Sequence, residues 1–373
     1  MMLHSALRVS SAARLLPCWL RRLLPATLVA GLVAGALAAG VDPPAGQTYP
    51  AQDTLAVGAD AQADARQCLQ QLAWKPAAFT VMCRPDPTAS YDCLVQFPSP
   101  IPSGDPVNDR VTLEWYKPPR KADADGQKTP AVVVVHESGR NMAVGRLFAR
   151  GFQAAGFHSF LIQLPYYGKR NTTGRDPEVR LLFTLIRQGI ADVRRARDAV
   201  AVLPGVDARQ IALQGTSLGG FVVTTSASLD RGYQLVFIML AGGNLYEMFQ
   251  HGQREVAEGR RKLAQAGVTD EQLKQLLWVV EPLRIAHRLD PARTWLFSAE
   301  QDQVVPFEHA LALARAARLD ERHHIRIAAN HYTGILYFPW ILQQVDDAIR
   351  NDAGRPSMGQ SQTSVREASP STK

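Results

Sequence analysis

The chain has 373 residues, 46% of them hydrophobic and 20% charged, so it can form a sizeable core and is not globally disordered. The formal net charge is +7, but residues 1–38 hold four arginines and no acidic residue. Without them the chain has 37 basic and 34 acidic residues, a net charge of +3. This small excess, with no basic stripe of interleaved aromatic residues, argues against nucleic acid as a partner.

The first segment, residues 1–38, has the pattern of a secretory signal. Four arginines, the last of them Arg22, precede an uncharged run that ends in Ala36-Leu37-Ala38. We therefore expect an exported, periplasmic or secreted protein with no stable membrane insertion after cleavage. The alternative is an uncleaved N-terminal helix that anchors the chain.

Residues 39–108 are predicted to be an N-terminal extension, with a linker followed by an irregular flap over the edge of the core. Three cysteines, Cys68, Cys83 and Cys93, lie in it. An oxidising compartment permits one disulfide, either Cys68–Cys83 or Cys83–Cys93, and three buried thiols are the alternative. Their spacing fits no zinc pattern, so we expect no metal.

Residues 109–351 are predicted to form the main domain, because strand-like and helix-like stretches alternate along them. A continuous apolar run, Ala131-Val132-Val133-Val134-Val135, is typical of a strand buried on both faces. Alternation of this kind predicts an α/β fold with a mostly parallel central sheet and helices on both faces.

Two segments depart from the alternation. Residues 245–292 contain two helical patterns with no strand between them, the second beginning with the capping box Thr269 to Gln272. They form either a small helical lid over a site or a pair of surface helices without a substrate role. Residues 352–373, rich in Ser, Thr, Gln and Pro, are predicted to be a disordered tail.

The sharpest motif is Gly215-Thr216-Ser217-Leu218-Gly219-Gly220, which follows a predicted strand and begins a predicted helix. A serine in this position lies on a tight, strained turn with its hydroxyl exposed, and flanking glycines avoid steric clashes there. The start of the helix supplies partial positive charge beside a developing anion. Ser217 is therefore predicted to be a nucleophile.

A serine nucleophile needs a base and a supporting carboxylate, and both types of residue follow predicted strands. Asp302 follows residues 294–298, with Glu300 as its competitor. His331 comes directly after the last predicted strand, whereas four other histidines lie in predicted helices or at their ends: His287, His309, His323 and His324. We predict a triad of Ser217, Asp302 and His331.

The oxyanion hole is predicted from two backbone N–H groups. One belongs to Leu218, directly after the nucleophile, and the other to Ser138, in the turn His136-Glu137-Ser138-Gly139 after the first buried strand. His136 is interpreted as a residue that holds this turn by hydrogen bonding. Tyr167 and Arg170 follow another strand and are predicted to contact substrate, or else to form a glycine turn with solvated charges.

The candidate motifs and their order along the chain resemble those of the α/β-hydrolase superfamily. They are His136 to Gly139, Gly215 to Gly220, Asp302 and His331. Two further stretches, Val206 to Ile211 and Glu281-Pro282-Leu283, are similar to its dienelactone-hydrolase-like and prolyl-oligopeptidase-like branches. The chain differs from dienelactone hydrolases in having a serine in place of the cysteine nucleophile. It also shows no propeller domain of the kind that oligopeptidases carry.

Together these patterns predict an exported serine hydrolase that cleaves a small-molecule carboxylic ester through an acyl-enzyme. An amidase or peptidase with the same triad, and a binding protein whose catalytic geometry has decayed, are the alternatives. No organic cofactor is expected, and the sequence does not indicate an oligomeric state.

Overall fold

One sheet of ten strands organises the computed structural model, which describes residues 46–119, 128–171 and 182–353. The strands in chain order are β1 (Gln47–Gln52), β2 (Ala78–Pro85), β3 (Cys93–Pro98), β4 (Arg110–Tyr116), β5 (Thr129–Val135), β6 (His158–Gln163), β7 (Val206–Thr216), β8 (Val236–Met239), β9 (Thr294–Ala299) and β10 (His324–Ile327). They lie side by side in the order β1-β2-β3-β4-β6-β5-β7-β8-β9-β10. Strands β1 to β4 pair antiparallel, as does β4 with β6, and every pair from β6 to β10 is parallel.

Helices cover both faces of this sheet. In chain order they are α1 (Ala63–Leu72), α2 (Ala143–Ala155), α3 (Leu182–Ala201), α4 (Leu218–Ser228), α5 (Leu245–His251), α6 (Glu255–Gln265), α7 (Asp270–Val279), α8 (Phe307–Ala316) and α9 (Phe338–Ala353). Helices α2 and α9 pack together on one face, while α3, α4 and α8 cover the other. The predicted α/β fold, with a mostly parallel sheet between two helical layers, is confirmed.

The position of the site follows from the order of the strands. The chain passes from β5 to β6 on one side and then returns to β7 on the other side of β5. Loops that leave neighbouring strands in opposite directions open a crevice at the carboxyl ends of those strands. The loops after β5 and β7, which carry Ser138 and Ser217, border this crevice.

The N-terminal extension differs from the predicted linker and irregular flap. It forms β1, β2 and β3, which continue the main sheet beyond β4, together with helix α1. Alternate side chains of β2, those of Phe79, Val81 and Cys83, are buried, which is the pattern of a strand with one covered face. A buried ion pair between Asp53 and Arg195 of α3, with 2.8 Å between Oδ2 and Nη2, also holds the extension against the main domain.

The three cysteines are free and buried. Cys83 and Cys93 lie close together on the paired strands β2 and β3, and burial raises the pKa of the Cys83 thiol to about 12. Burial likewise raises the pKa of Cys68 to about 11. Cys68, Cys83 and Cys93 are therefore three buried thiols, which was the alternative to a disulfide. The raised pKa values make Cys68 and Cys83 poor nucleophiles at neutral pH.

The predicted signal and most of the predicted tail lie outside the residues that the structure describes. The predicted signal (1–38) lies outside them, as do residues 354–373 of the predicted tail, and α9 continues to Ala353. Within residues 46–119, 128–171 and 182–353, no helix is both long enough and apolar enough to cross a bilayer.

Candidate active site

Ser217 lies on a sharp turn between β7 and α4. Its backbone has φ 53° and ψ −116°, a conformation that costs a non-glycine residue of the order of 1–3 kcal/mol. The turn requires glycine on both sides. A Cβ at Gly215 would lie 2.4 Å from the carbonyl oxygen of Gly219, and a Cβ at Gly219 would lie 2.2 Å from that of Val135. The strain presents the Ser217 hydroxyl to the crevice.

The structure brings the side chains of Ser217, His331 and Asp302 together. The Oγ atom of Ser217 lies 3.0 Å from Nε2 of His331, and Nδ1 of His331 lies 2.6 Å from Oδ2 of Asp302. The other carboxylate oxygen of Asp302 accepts the N–H groups of Val304 and Val305 at 2.8 and 2.9 Å. These two hydrogen bonds fix the orientation of the buried carboxylate and aim its other oxygen at the imidazole.

The competing acid and base residues lie elsewhere. Glu300 is exposed to solvent, and His287 pairs with Asp60 of the extension at 3.0 Å. His324 is bonded to Ser298 at 2.8 Å, and His323 pairs with Asp320. Over the three described ranges, no cluster of three or more His, Cys, Asp or Glu side chains could hold a metal ion.

Both predicted oxyanion residues line the crevice beside Ser217. Leu218 is the first residue of α4, where an amide N–H has no carbonyl partner within the helix. Ser138 is held by Tyr167, whose hydroxyl donates to the Ser138 carbonyl oxygen at 2.9 Å. Tyr167 also lines the cavity, so it lies where a substrate-contacting residue was predicted.

His136 fixes the turn that carries Ser138, as interpreted from the sequence. It is fully buried, with Nε2 accepting the N–H of Leu164 at 3.1 Å and Nδ1 lying 2.5 Å from the carbonyl oxygen of Glu137. Burial lowers its pKa to about 4, so the ring is neutral at pH 7. Because Nε2 accepts the N–H of Leu164, the proton of the neutral ring is on Nδ1, which donates it to the carbonyl oxygen of Glu137.

Glu137 is a residue of the site that the sequence reasoning missed. Its carboxylate accepts the N–H groups of Val144 and Gly145 at 3.2 and 3.0 Å, at the beginning of α2. This caps the helix and ties the turn after β5 to it. Glu137 comes six residues before the helix, which is too far for any local capping pattern, so the sequence offers no signal for this role.

Arg170 does not contact the cavity, and its predicted substrate role is wrong. Its side chain is fully buried and pairs with Asp192 of α3, with 2.8 Å between Nη2 and Oδ2. The guanidinium also donates to the carbonyl oxygens of Asn108 and Gln163, at 2.7 and 3.0 Å. A buried arginine with these partners joins the loop after β6 to α3.

A cavity of about 680 Å³ adjoins Ser217 and His331. This volume lies in the range of about 300–1,000 Å³ that is typical of small-molecule sites. The predicted helical insertion contributes three helices to its wall, one more than the sequence indicated: Leu245 and Met248 of α5, Val256 and Gly259 of α6, and Leu277 of α7. Helix α7 begins with the predicted capping box at Thr269.

Solved structures show which fold this is. Acetyl xylan esterase from Paenibacillus sp. R4 matches with a TM-score of 0.56 and 17% identity, over 76% of this chain and 92% of that one. Acetyl xylan esterase 1 from Thermoanaerobacterium sp. JW/SL YS485 matches with a TM-score of 0.51 and 15% identity, over 75% and 92% of the two chains. The chain has the α/β-hydrolase fold. No family model and no curated protein matches the sequence.

Proposed function

We propose that this protein is a carboxylic-ester hydrolase that acts through an acyl-enzyme on Ser217. The observation that supports this most directly is the unbroken chain of contacts from Ser217 Oγ through both ring nitrogens of His331 to Asp302, at 3.0 and 2.6 Å. Two acetyl xylan esterases have the same fold, so the scaffold is compatible with ester hydrolysis.

In the proposed reaction, Ser217 Oγ attacks the ester carbonyl while His331 Nε2 accepts its proton. Asp302 orients the imidazole and stabilises the imidazolium that forms. The oxyanion accepts hydrogen bonds from the N–H groups of Leu218 and Ser138. The tetrahedral intermediate then expels the alcohol, which takes the proton from His331. Water activated by His331 attacks the acyl-enzyme and releases the acid.

The small number of charged groups in the cavity favours an ester over a peptide bound by its free terminus. Among the described residues that line the cavity, the one carboxylate is that of Glu137, which is already bonded to the beginning of α2. The other titratable side chains of this lining are His331, Tyr167 and Tyr332. A peptidase that binds a free terminus needs a buried countercharge for it, because an unpaired charge in an apolar site is costly.

Labelling with a fluorophosphonate and hydrolysis of p-nitrophenyl esters test the proposal. The purified protein should be labelled, and Ser217→Ala should abolish labelling and lower kcat by about 10⁴-fold or more. Ser90→Ala, an exposed serine outside the site, is the matched control and should behave as the parent protein. Full activity of Ser217→Ala would rule the mechanism out.

The alternatives give different outcomes. An amidase would hydrolyse p-nitroacetanilide at a rate comparable to p-nitrophenyl acetate, whereas we expect the ester to be strongly preferred. A decayed binding protein would be folded, by circular dichroism, yet unreactive with the probe.

We further propose that the mature protein is exported, which rests on the sequence pattern of residues 1–38. Expression of the full chain in a bacterium, followed by fractionation and N-terminal sequencing, tests this. Export with cleavage near Ala38 is expected. Retention of an intact N-terminus in the membrane fraction would favour the anchored alternative.

A further inference from the structure

Residues from both faces of the sheet line the cavity beside Ser217, and each group of lining residues is called an arm. The first, the α9 arm, is lined by Val144 and Phe148 of α2 and by Phe338 and Ile341 of α9. The second, the lid arm, lies between α3 and α4 on one side and α5, α6 and α7 on the other. An ester consists of an acyl half and an alcohol half, and the two arms can each hold one of them.

The leaving half of the ester must lie beside His331. In the proposed function, on which this inference rests, His331 Nε2 returns a proton to the leaving alkoxide. The alkoxide oxygen must then lie within hydrogen-bond reach of Nε2, about 2.6–3.2 Å. His331 leads into the turn Thr333–Tyr337 and α9, whose Ile335 and Phe338 line the α9 arm. On this basis the alcohol is assigned to the α9 arm and the acyl group to the lid arm. Because Tyr332, next to His331, also lies against Arg254 at the beginning of α6, the variants below are chosen to test this assignment directly.

Among the described residues, the lid arm is lined almost entirely by hydrocarbon. Its side chains include Ile186 and Ile190 of α3, Phe221 of α4, Phe249 of α5 and Leu277 of α7. The one hydroxyl there, on Thr225, already donates to the carbonyl oxygen of Phe221 at 3.2 Å. A polar acyl group would lose its hydrogen bonds to water without replacement, whereas each methylene buried is worth about 0.8 kcal/mol.

We propose that the acyl half of the substrate is a medium or long unbranched aliphatic chain, which extends from Ser217 along the lid arm beneath α5, α6 and α7. The depth available to it is set at Gly259 of α6. This glycine lines the cavity, and a Cβ there would lie 3.5 Å from Cζ of Phe249, an ordinary van der Waals contact. Its backbone is helical, so a larger residue fits the helix and occupies the arm.

The first test compares p-nitrophenyl acetate, butanoate, octanoate and dodecanoate, below the concentrations at which they aggregate. Full burial of one methylene corresponds to about fourfold in kcat/KM. We expect kcat/KM to rise at least about a hundredfold from acetate to octanoate. A profile that is flat, or that favours acetate, overturns the proposal.

The second test fills the arm. Gly259→Leu should lower the ratio of kcat/KM for octanoate to that for acetate by about tenfold or more, because the leucine occupies the space of several methylenes. Ala264→Leu is the matched control, since Ala264 is exposed on the same helix and lies outside the cavity lining. It should keep the parent ratio. Val256→Phe fills the same arm from the preceding turn of α6. It should produce the same fall in the ratio if Gly259→Leu does not fold.

An unchanged ratio in a folded Gly259→Leu and a folded Val256→Phe overturns the assignment of the lid arm to the acyl chain. Fluorophosphonate labelling of Ser217 separates this failure from a failure of the proposed function. Labelled protein that hydrolyses acetate but does not prefer octanoate is an esterase with another acyl specificity. Protein that is neither labelled nor active on any of the four esters contradicts both proposals.

Discussion

Nδ1 of His331 lies 2.6 Å from Oδ2 of Asp302, whose other oxygen is bonded to two backbone N–H groups. The carboxylate thus has a fixed direction and the imidazole a fixed tautomer. Asp302→Asn should keep the fold but lower kcat by about 10³–10⁴-fold, because an amide can present its NH₂ to Nδ1 and favour the wrong tautomer. Steady-state kinetics on a p-nitrophenyl ester measure this. Glu300→Gln, two residues away and exposed, should retain the parent rate; a larger loss there would point to Glu300 as the acid.

The hydrogen bond from Tyr167 to the Ser138 carbonyl oxygen positions the predicted oxyanion turn. Tyr167→Phe removes one neutral hydrogen bond, worth about 0.5–1.5 kcal/mol, and should lower kcat about twofold to tenfold with little change in KM. Tyr166→Phe, at the adjacent residue, is the comparison. A rise in KM with unchanged kcat would instead indicate that Tyr167 binds the ground-state substrate.

Arg170 and Asp192 form a fully buried ion pair, so the expected effect of removing Arg170 is on stability. Arg170→Met leaves the Asp192 carboxylate buried without its partner and should lower the free energy of unfolding by about 3–5 kcal/mol, as measured by urea denaturation. Arg170→Met combined with Asp192→Leu should recover much of the loss. A large increase in KM at unchanged stability would restore the substrate role that the structure argues against.

Gly219 packs directly on the end of β5. A Cβ at this position would lie 2.2 Å from the carbonyl oxygen of Val135 and 2.6 Å from that of His136. Gly219→Ala should therefore destabilise the fold by about 3 kcal/mol or more, seen as a lower Tm and a lower soluble yield. Gly259→Ala is the contrasting variant, because it has room for the methyl group and gains up to about 1 kcal/mol of helix propensity. Equal effects of the two substitutions would contradict the close packing.

Burial of His136 makes stability depend on pH. Its pKa is lowered to about 4 in the folded state, against about 6.5 in the unfolded chain, so the unfolded state binds the proton first as the pH falls. The contribution of His136 is complete above pH 6.5 and is lost between about pH 6.5 and 4, with a loss of about 2 kcal/mol by pH 5. Urea denaturation of the parent and of His136→Gln should show a free-energy difference that shrinks over this range and is constant from pH 7 to 8. A difference independent of pH would mean that folding leaves the pKa of His136 unchanged.

Local sequence patterns were sufficient to predict the buried strand β5 and the serine turn after β7. The run Ala131 to Val135 is buried throughout, which is why it is apolar throughout, and the glycines around Ser217 are required by contacts of 2.2–2.4 Å. The extension was mispredicted because each of its strands contains a proline, Pro50, Pro85 or Pro98, which lowers the strand signal. Strand β2 does carry a local alternation of apolar residues, but its pairing with β1 and β3, which joins it to the main sheet, is not encoded locally.

By itself, the sequence determined the strained serine turn, the apolar strands and the chain order of nucleophile, acid and base, since each depends on residues close together in the chain. Only the tertiary structure decided that Arg170 is buried against Asp192, that Glu137 caps α2, and that α5, α6 and α7 enclose an apolar arm. These depend on which side of an element faces another, distant one. The same charged or apolar residue fits a surface, a core or a pocket, and only the packing of the whole chain distinguishes them.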